Sequence, residues 1–536
     1  AGGGGRIAVI YNTTAQAGLN PRVRFSTQRG LAPNQFGLSR QSENGTVYFS
    51  DSSFLSTNMT DSVFTDSFVF MSNFTAWAAD HLDVSSCSFT FGNTGLVITV
   101  TNNVRILAGG SLGISPGSTF NCRNLLVTNT GSFHVYGGPT NGTTVLYGAE
   151  VNVTEDVGIG AGSWMYPWSH RYNGGSPIFR MRNLTVAAAG GFDADKRGFL
   201  WGRGYGKGAG LWGGGGHGGK GGTDSGYAGG LPYGRRDSPV HPGSGGGTYA
   251  WGGCGGGVVR IKSTGTVTLN GILKAAGESG LSTHGPGAAG GTIFVDCKTL
   301  NASVTAQMIA NGGDGNGNGA AGGGGRIAIW RFQDTSTGSA GTNVLGGVDD
   351  SPPPADGSNG TVFLVITAPA ITNLAPNSVT NTTARMLGQL TATGYTATAV
   401  FCFWGETDGE SGYSAWQKTN SFGTNVPGVF TNSVSGLTAG TVYHYRWYAT
   451  NTHGEAWAAP TKIFATTGGG VTVNNGNGAT NITPVSATLR GIVAQGNPAP
   501  DAYVCWGAAN GGGSSTGAWE HVLSVGNVLG AFSVSI

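Results

Sequence analysis

Charge is the scarcest commodity in this chain. Lys, Arg, Asp and Glu together make up 10% of its 536 residues, against about 25% in an average soluble protein. The 28 basic and 26 acidic residues nearly cancel, leaving a net charge of +2. So small a surplus argues against a nucleic-acid partner and against electrostatic adsorption to a membrane surface. No apolar run approaches the roughly 20 residues that cross a bilayer, so no membrane span is expected. The chain opens without an initiator Met or a secretory leader, which leads to the expectation of a processed or internal fragment. Helical periodicity is lacking, and so is any Leu/Ala/Glu/Lys-rich stretch. The six cysteines show no Cys-x-x-Cys spacing, so a zinc site is not expected.

Glycine is present in excess, at 100 residues, where about 7% is usual. It follows no Gly-X-Y period, which excludes collagen. Hydrophobic content is 38%, enough apolar surface to form a core, so the composition is not that of a disordered chain. Ser, Thr and Asn stand where charge would normally be. Sequons for N-glycosylation recur at Asn12, Asn44, Asn58, Asn73, Asn141, Asn152, Asn183, Asn301, Asn359, Asn381 and Asn481. Low charge and a polar uncharged surface together suggest an extracellular or cell-surface protein.

Repetition organises the first two thirds. Gly2–Ala8 (GGGGRIA) returns at Gly322–Ala328, and Asn44–Val47 (NGTV) returns at Asn359–Val362. Residues 1–50 are therefore expected to be the end of one copy of a repeated block, and residues 51–365 a Gly-rich body. Within it, Val258–Ile261 aligns with Ile293–Asp296 at a shift of 35, and Lys274–Gly277 aligns with Ile309–Gly312 at the same shift. Each copy holds about three short apolar bursts, here Val258–Ile261, Val267–Leu269 and Ile272–Ala275. Three strands per copy predict a parallel β-helix, in which one coil cannot bury its inward side chains until the next stacks on it. A looser version recurs at Gly110-Ser111-Leu112, Gly131-Ser132-Phe133, Gly162-Ser163-Trp164 and Gly190-Gly191-Phe192, with the third residue of each expected to point inward.

A Gly-rich insertion spans 198–257. It carries Phe199, Trp201, Tyr205, Trp212, Tyr227, Tyr233, Tyr249 and Trp251. Flexible linkers do not usually hold so many large rings. An ordered loop layer is expected, with aromatics covering closely packed glycine backbone.

From 366 the pattern changes. Ala384–Gly388 recurs as Ala487–Gly491, and Cys402–Gly405 recurs as Val504–Gly507 with the Cys one place later. The offset of 102 to 103 residues is the size of one β-sandwich. Residues 366–468 are expected to form one sandwich and 469–536 a second, incomplete one. The second copy stops near the point matching Ser435. Either the chain is truncated there, or a neighbouring subunit supplies the absent strands.

Two resemblances follow from these residues. Gly436–Asn451 with Gly454-Glu455-Ala456 resembles the F–G region of bacterial fibronectin type III domains, and Leu437 with Tyr443 is similar to their tyrosine corner. Gly213–Gly222, Tyr233-Gly234, Pro239, Gly243–Gly247 and Gly322–Ile329 resemble the Gly-rich parallel β-helix blocks of very large bacterial cell-surface, adhesin-like proteins. That likeness implies surface display and brings no catalytic residues and no ligand with it.

A few side chains could carry chemistry on such a scaffold. Asp193 and Asp195 could share a strand face as an acid pair, or belong to a solvated turn with a local ion pair. His217, Asp237 and His241 could form an acid–base or metal site, though their spacing fits no zinc pattern. Gly312–Gly317 holds a single turn similar to a calcium-binding nonapeptide, the one cofactor that comes into question. Trp164, Trp168, Trp201, Trp212 and Trp251 could stack on glycans if exposed, or pack on the scaffold. Cys87–Cys122 and Cys254–Cys297 are candidate disulfides if each separation corresponds to adjacent coils, with buried free thiols as the alternative. The expectation is a non-enzymatic structural protein, self-associating into a filament, stalk or surface layer. The rivals are a glycan-binding adhesin and a polysaccharide lyase or hydrolase.

Overall fold

The computed structural model describes residues 2–16, 23–30, 43–248, 251–349, 354–394, 396–497, 499–513 and 515–536. It is essentially all-β, with 45% strand and 2% helix, and divides into two compact units, residues 1–366 and 367–536.

Two long parallel sheets build the first unit. One runs from Arg6–Val9 through Thr46–Phe49, Ser67–Met71, Ser88–Phe91, Ser111–Ile114, Ser132–Tyr136, Trp164–Trp168, Gly191–Asp193, Ile272–Lys274 and Gln307–Ile309 to Gly341–Asn343. The other runs from Asn58–Met59 to Thr361–Ile366. Alternation decides which side chains go inside. In Ser67–Met71 and Ser132–Tyr136 every second residue is buried, as a strand with one wet face requires. In-register pairing stacks these inward residues into columns. Val47, Val69, Phe91, Ile114 and Val135 form one column, and Leu112, Phe133, Met165, Phe192, Leu273 and Met308 form another. Burying one such side chain stabilises by about 1.5–3 kcal/mol, and here its shelter is the same column one strand away.

Long strands of the second sheet shift register midway. Val97–Leu107 does so between Val100 and Asn103, so that its first half pairs with Ala76–Ala79 and its second with Leu82–Ser85. Val258–Leu269 does so between Ser263 and Thr266. Two bursts expected as separate strands, Val258–Ile261 and Val267–Leu269, are thus one irregular strand, because a bulge can bend a strand without ending it.

Register corrects two sequence alignments. Val259 sits opposite Ile293 and Ile261 opposite Val295, a shift of 34 rather than 35, whereas Lys274 does sit opposite Ile309. A slip of one would have turned the apolar set outward, and burial selects the register that keeps Val259, Ile261, Ile293 and Val295 inside. For the same reason Met165, not Trp164, lies opposite Phe133 and is fully buried. Trp164 stands on the outer face.

Glycine-rich stretches form an ordered layer. Gly213–Gly216, Gly243–Gly247, Gly287, Gly290, Gly291 and Gly322–Gly325 are buried. Their main chains bond one another directly: Gly215 donates to Gly287 (3.0 Å), Gly323 to Gly215 (2.8 Å), Gly218 to Gly324 (2.9 Å) and Gly290 to Gly323 (3.0 Å). A Cβ on Gly214 would lie 1.9 Å from the Ala321 carbonyl oxygen. Side chains are excluded because backbone fills the space. Rings cover this backbone, Phe199 against Gly174 and Tyr227 against Gly210. The layer extends well past 257, since the stretches around 287 and 322 belong to it. Tyr249 lies outside the described residues.

None of the six cysteines is in a disulfide. The candidate pairs Cys87–Cys122 and Cys254–Cys297 are not made, and these four are buried thiols, the alternative reading. Cys122 lies opposite Val100 and Val153, and Cys297 opposite Ser263 and Arg331, so strand pairing brings neither sulfur beside a second one. Burial pushes the Cys87 thiol up to about 11, and those of Cys122 and Cys297 to about 12.

The second unit is antiparallel. Thr383–Ala392 pairs with Ala370–Asn373 and Gly428–Ser435, while Thr398–Gly405 pairs with Lys418–Asn425 and Val442–Asn451. Met386, Leu390, Val400, Cys402, Tyr445 and Trp447 share one core between these sheets. The later copy repeats the start of this pattern. Thr488–Asn497 lies between Gly469–Asn474 and Gly530–Ser535. Asp501–Trp506 pairs with His521–Asn527 and, among the described residues, with no counterpart of Val442–Asn451.

Candidate functional site

The outer face of the first sheet gathers most of the chemistry. Register sets His134, Tyr166, Asp193 and Lys274 side by side on consecutive strands, with Tyr136 beside Trp168 in the next row. His134 stacks on Tyr166 (4.6 Å, 25°), and Tyr136 stacks on Trp168 (5.5 Å, 24°). The Arg197 guanidinium lies 4.6 Å from the Tyr166 ring centre and 4.8 Å from that of Trp168. Lys274 lies 5.1 Å from the Trp164 ring. Cations over aromatic faces are attracted by the ring quadrupole, more strongly when dehydrated.

Asp193 and Asp195 close this array. Lys274 is 3.1 Å from Asp193 and 3.3 Å from Asp195, and Arg197 is 2.7 Å from Asp193. Asp195 also accepts from the Ala276 main-chain N–H at 2.6 Å. Burial, then the neighbouring Asp193, push the Asp195 carboxyl up. Only Asp193 lies in the strand; Asp195 is in the turn that follows it, and the two carboxyls meet through Lys274, with Asp193–Arg197 as the local ion pair. Two carboxylates and two cations neutralise one another. Both carboxyls are engaged by fixed partners.

His217, Asp237 and His241 are only partly brought together. His217 is fully buried. Its Nδ1 lies 2.9 Å from the Gly290 carbonyl and so carries the proton. Its ring and that of His241 lie 4.8 Å and 6.1 Å from Tyr233. Burial pushes the His217 imidazole down to about 3, which keeps it neutral. Asp237 instead pairs with Arg235 through two hydrogen bonds of 2.9 and 2.7 Å. In Gly312–Gly317, Asp314 accepts from the Val348 main-chain N–H at 3.0 Å. Among the described residues no group of three His, Cys, Asp or Glu side chains is placed to hold a metal ion.

The tryptophans are half-buried. Trp168 has a ring face against Tyr136, and Trp212 packs 5.4 Å from Tyr227 and 5.7 Å from His284. One face of Trp168 is thus taken by Tyr136, whereas Trp212 meets Tyr227 edge to face at 72°.

Sequence reasoning missed the second sheet's outer surface. Two open troughs of about 540 and 590 Å³ meet there at Asn124. Their polar side chains are tied across strands: Asn124 donates to Asn103 (3.0 Å), Asn102 to Asp80 (2.6 Å) and Asn183 to Asp156 (2.8 Å), while Arg105 pairs with Asp83. Sequons Asn152 and Asn183 belong to this ladder, since Asn152 donates to Asn121 and accepts from Arg180. Only register makes such a ladder visible, because its members are some 20 to 30 residues apart in the chain. Asn58, Asn73, Asn381 and Asn481 are exposed.

No helix among the described residues is long and apolar enough to cross a membrane. The chain matches no family model, no curated protein and no solved structure, so the two resemblances drawn above rest on its own residues alone.

Proposed function

We propose that this chain is a non-enzymatic structural protein of the cell surface. Its first unit is a stiff parallel β-helix, and its second consists of fibronectin type III-like modules serving as spacers. The observation that carries this reading is the unbroken column of inward residues from Leu112 to Met308, each packed on the next in-register strand. A column of this kind propagates stiffness along the stacking direction and creates no enclosed pocket. The neutralised Asp193–Asp195–Lys274–Arg197 network supports a mechanical role over a catalytic one. For the later modules, Tyr443 accepts a hydrogen bond at its hydroxyl from the Thr438 N–H, 3.0 Å away and five residues upstream, as a tyrosine corner does. Low charge permits close lateral packing, and self-association into a filament, stalk or layer is the expected higher order.

Electron microscopy of native particles tests this reading. A regular axial repeat supports it. Monodisperse single particles that cleave a polysaccharide, with turnover lost on substituting Asp193 or Asp195, would replace it with the lyase or hydrolase reading.

A further inference from the structure

The glycine layer presents one face that this scaffold role leaves unused. Tyr205 is 65% exposed, Leu231 68% and Tyr172 63%, though Gly206 beside Tyr205 is buried. These residues are neighbours. The Arg203 guanidinium lies 5.6 Å from the Tyr172 ring centre. Gly206, next to Tyr205, is so close to the Leu231 carbonyl that a Cβ there would meet it at 2.4 Å.

Tyr205 differs from the stacked rings of the first sheet. It meets Phe199, Tyr233 and His241 at 88°, 63° and 65°. Edge-to-face contacts fix a ring's orientation without stacking another ring flat upon it. Lys207 is exposed beside it, and neither Arg203 nor Lys207 has an acidic partner within ion-pair distance among the described residues. The insertion is also net basic. Residues 198–257 carry five bases (Arg203, Lys207, Lys220, Arg235, Arg236) and two acids (Asp224, Asp237), a net +3, whereas the whole chain is +2.

We propose that this face binds an acidic polysaccharide. A uronic acid unit combines an apolar C–H face with a carboxylate on the same ring. The C–H face would lie on Tyr205, and the carboxylate would reach Arg203 or Lys207. Main-chain hydrogen bonds at Arg203 and Gly206, and the ring contacts of Tyr205, fix the backbone and the tyrosine before binding, which lowers the ordering entropy lost.

The test is a titration of the full chain with polygalacturonate, with neutral dextran and short duplex DNA as competitors. Polygalacturonate is expected to bind, with affinity falling as salt is raised, and dextran is expected not to bind. Tyr205→Ala should weaken binding about fivefold. The double variant Arg203→Glu/Lys207→Glu should weaken it more than about tenfold. Lys298→Glu, an exposed charge on a distant strand, should change nothing. Unchanged thermal midpoints confirm that the variants are folded. The proposal is overturned if polygalacturonate does not bind, if dextran binds equally well, if DNA binds more tightly, or if the double variant binds like the parent.

Discussion

Arg326 and Tyr233 are joined by a hydrogen bond from the guanidinium Nε to the main-chain carbonyl, 3.0 Å long and spanning 93 residues. The same guanidinium donates to Thr361 Oγ1 (2.9 Å) and to the His217 carbonyl (3.3 Å). One side chain thus ties the glycine insertion to two adjacent strands. Its repeat counterpart, Arg6, faces Thr46 in the same register that sets Arg326 opposite Thr361, yet Arg6 is exposed. Arg326→Ala should therefore cost about 2–4 kcal/mol, because it strands buried carbonyls. Arg6→Ala should stay within about 0.5 kcal/mol. Urea unfolding of the two variants measures the contrast.

The same repeat supplies a second internal control. A Cβ on Gly325 would lie 2.2 Å from the Gly291 carbonyl oxygen, whereas one on Gly5 would meet nothing within 4 Å. Gly325→Ala is expected to destabilise by about 3 kcal/mol or more, and Gly5→Ala to be close to neutral. Thermal unfolding of both reads this out, and equal midpoints would contradict the backbone-packed layer.

Thiol reactivity should single out one cysteine. Cys402 is buried opposite Trp447, and burial pushes its thiol up to about 12. Its counterpart in the later copy, Cys505, is half-exposed. A maleimide applied to native protein, followed by peptide mass mapping, should label Cys505 well before the other five, since attack needs an accessible thiolate.

Acid should weaken the first unit through its buried imidazoles. Burial pushes both His134 and His217 down to about 3, while an unfolded histidine titrates near 6.5. Between those values the unfolded chain binds more protons, so stability is fully present above about pH 6.5 and falls as pH drops towards 3. By pH 4 the loss is at most about 3 kcal/mol per histidine. Asp195 and Glu278, whose carboxyls burial pushes up, act with the opposite sign and partly offset it. The double variant His134→Gln/His217→Asn should flatten the slope of unfolding free energy between pH 7 and 4, and an unchanged slope would rule these residues out as its source.

Much of this architecture was legible along the chain because it depends on local pattern. Alternating apolar bursts at Ser67–Met71 or Ser132–Tyr136, the return of Gly2–Ala8 at Gly322–Ala328, and the change of period near 366 each follow from what a short segment needs in order to bury one face. The repeat of Gly2–Ala8 at Gly322–Ala328 is matched by strand pairing, which aligns Arg6 and Arg326 each against the Thr of an Asn-Gly-Thr-Val segment, although the two strands belong to different sheets. Disposition across strands was not legible. Trp164 was expected inside and stands outside, and Val258 was aligned one residue out of register. A difference of one position has no local signature, and only the packing of neighbouring strands selects between the alternatives.

Sequence alone determined that this chain would be a glycine-rich β protein in two regimes, because alternation and repeat spacing are properties of each segment. Tertiary structure alone decided that Asp193, Asp195, Lys274 and Arg197 neutralise one another, that His217 is sealed beneath Tyr233, and that Tyr205 is left open beside Arg203 and Lys207. These relations join residues up to 81 positions apart through parallel register and main-chain packing. Charge pairing and exposure depend on distance in space, which no spacing along the chain encodes.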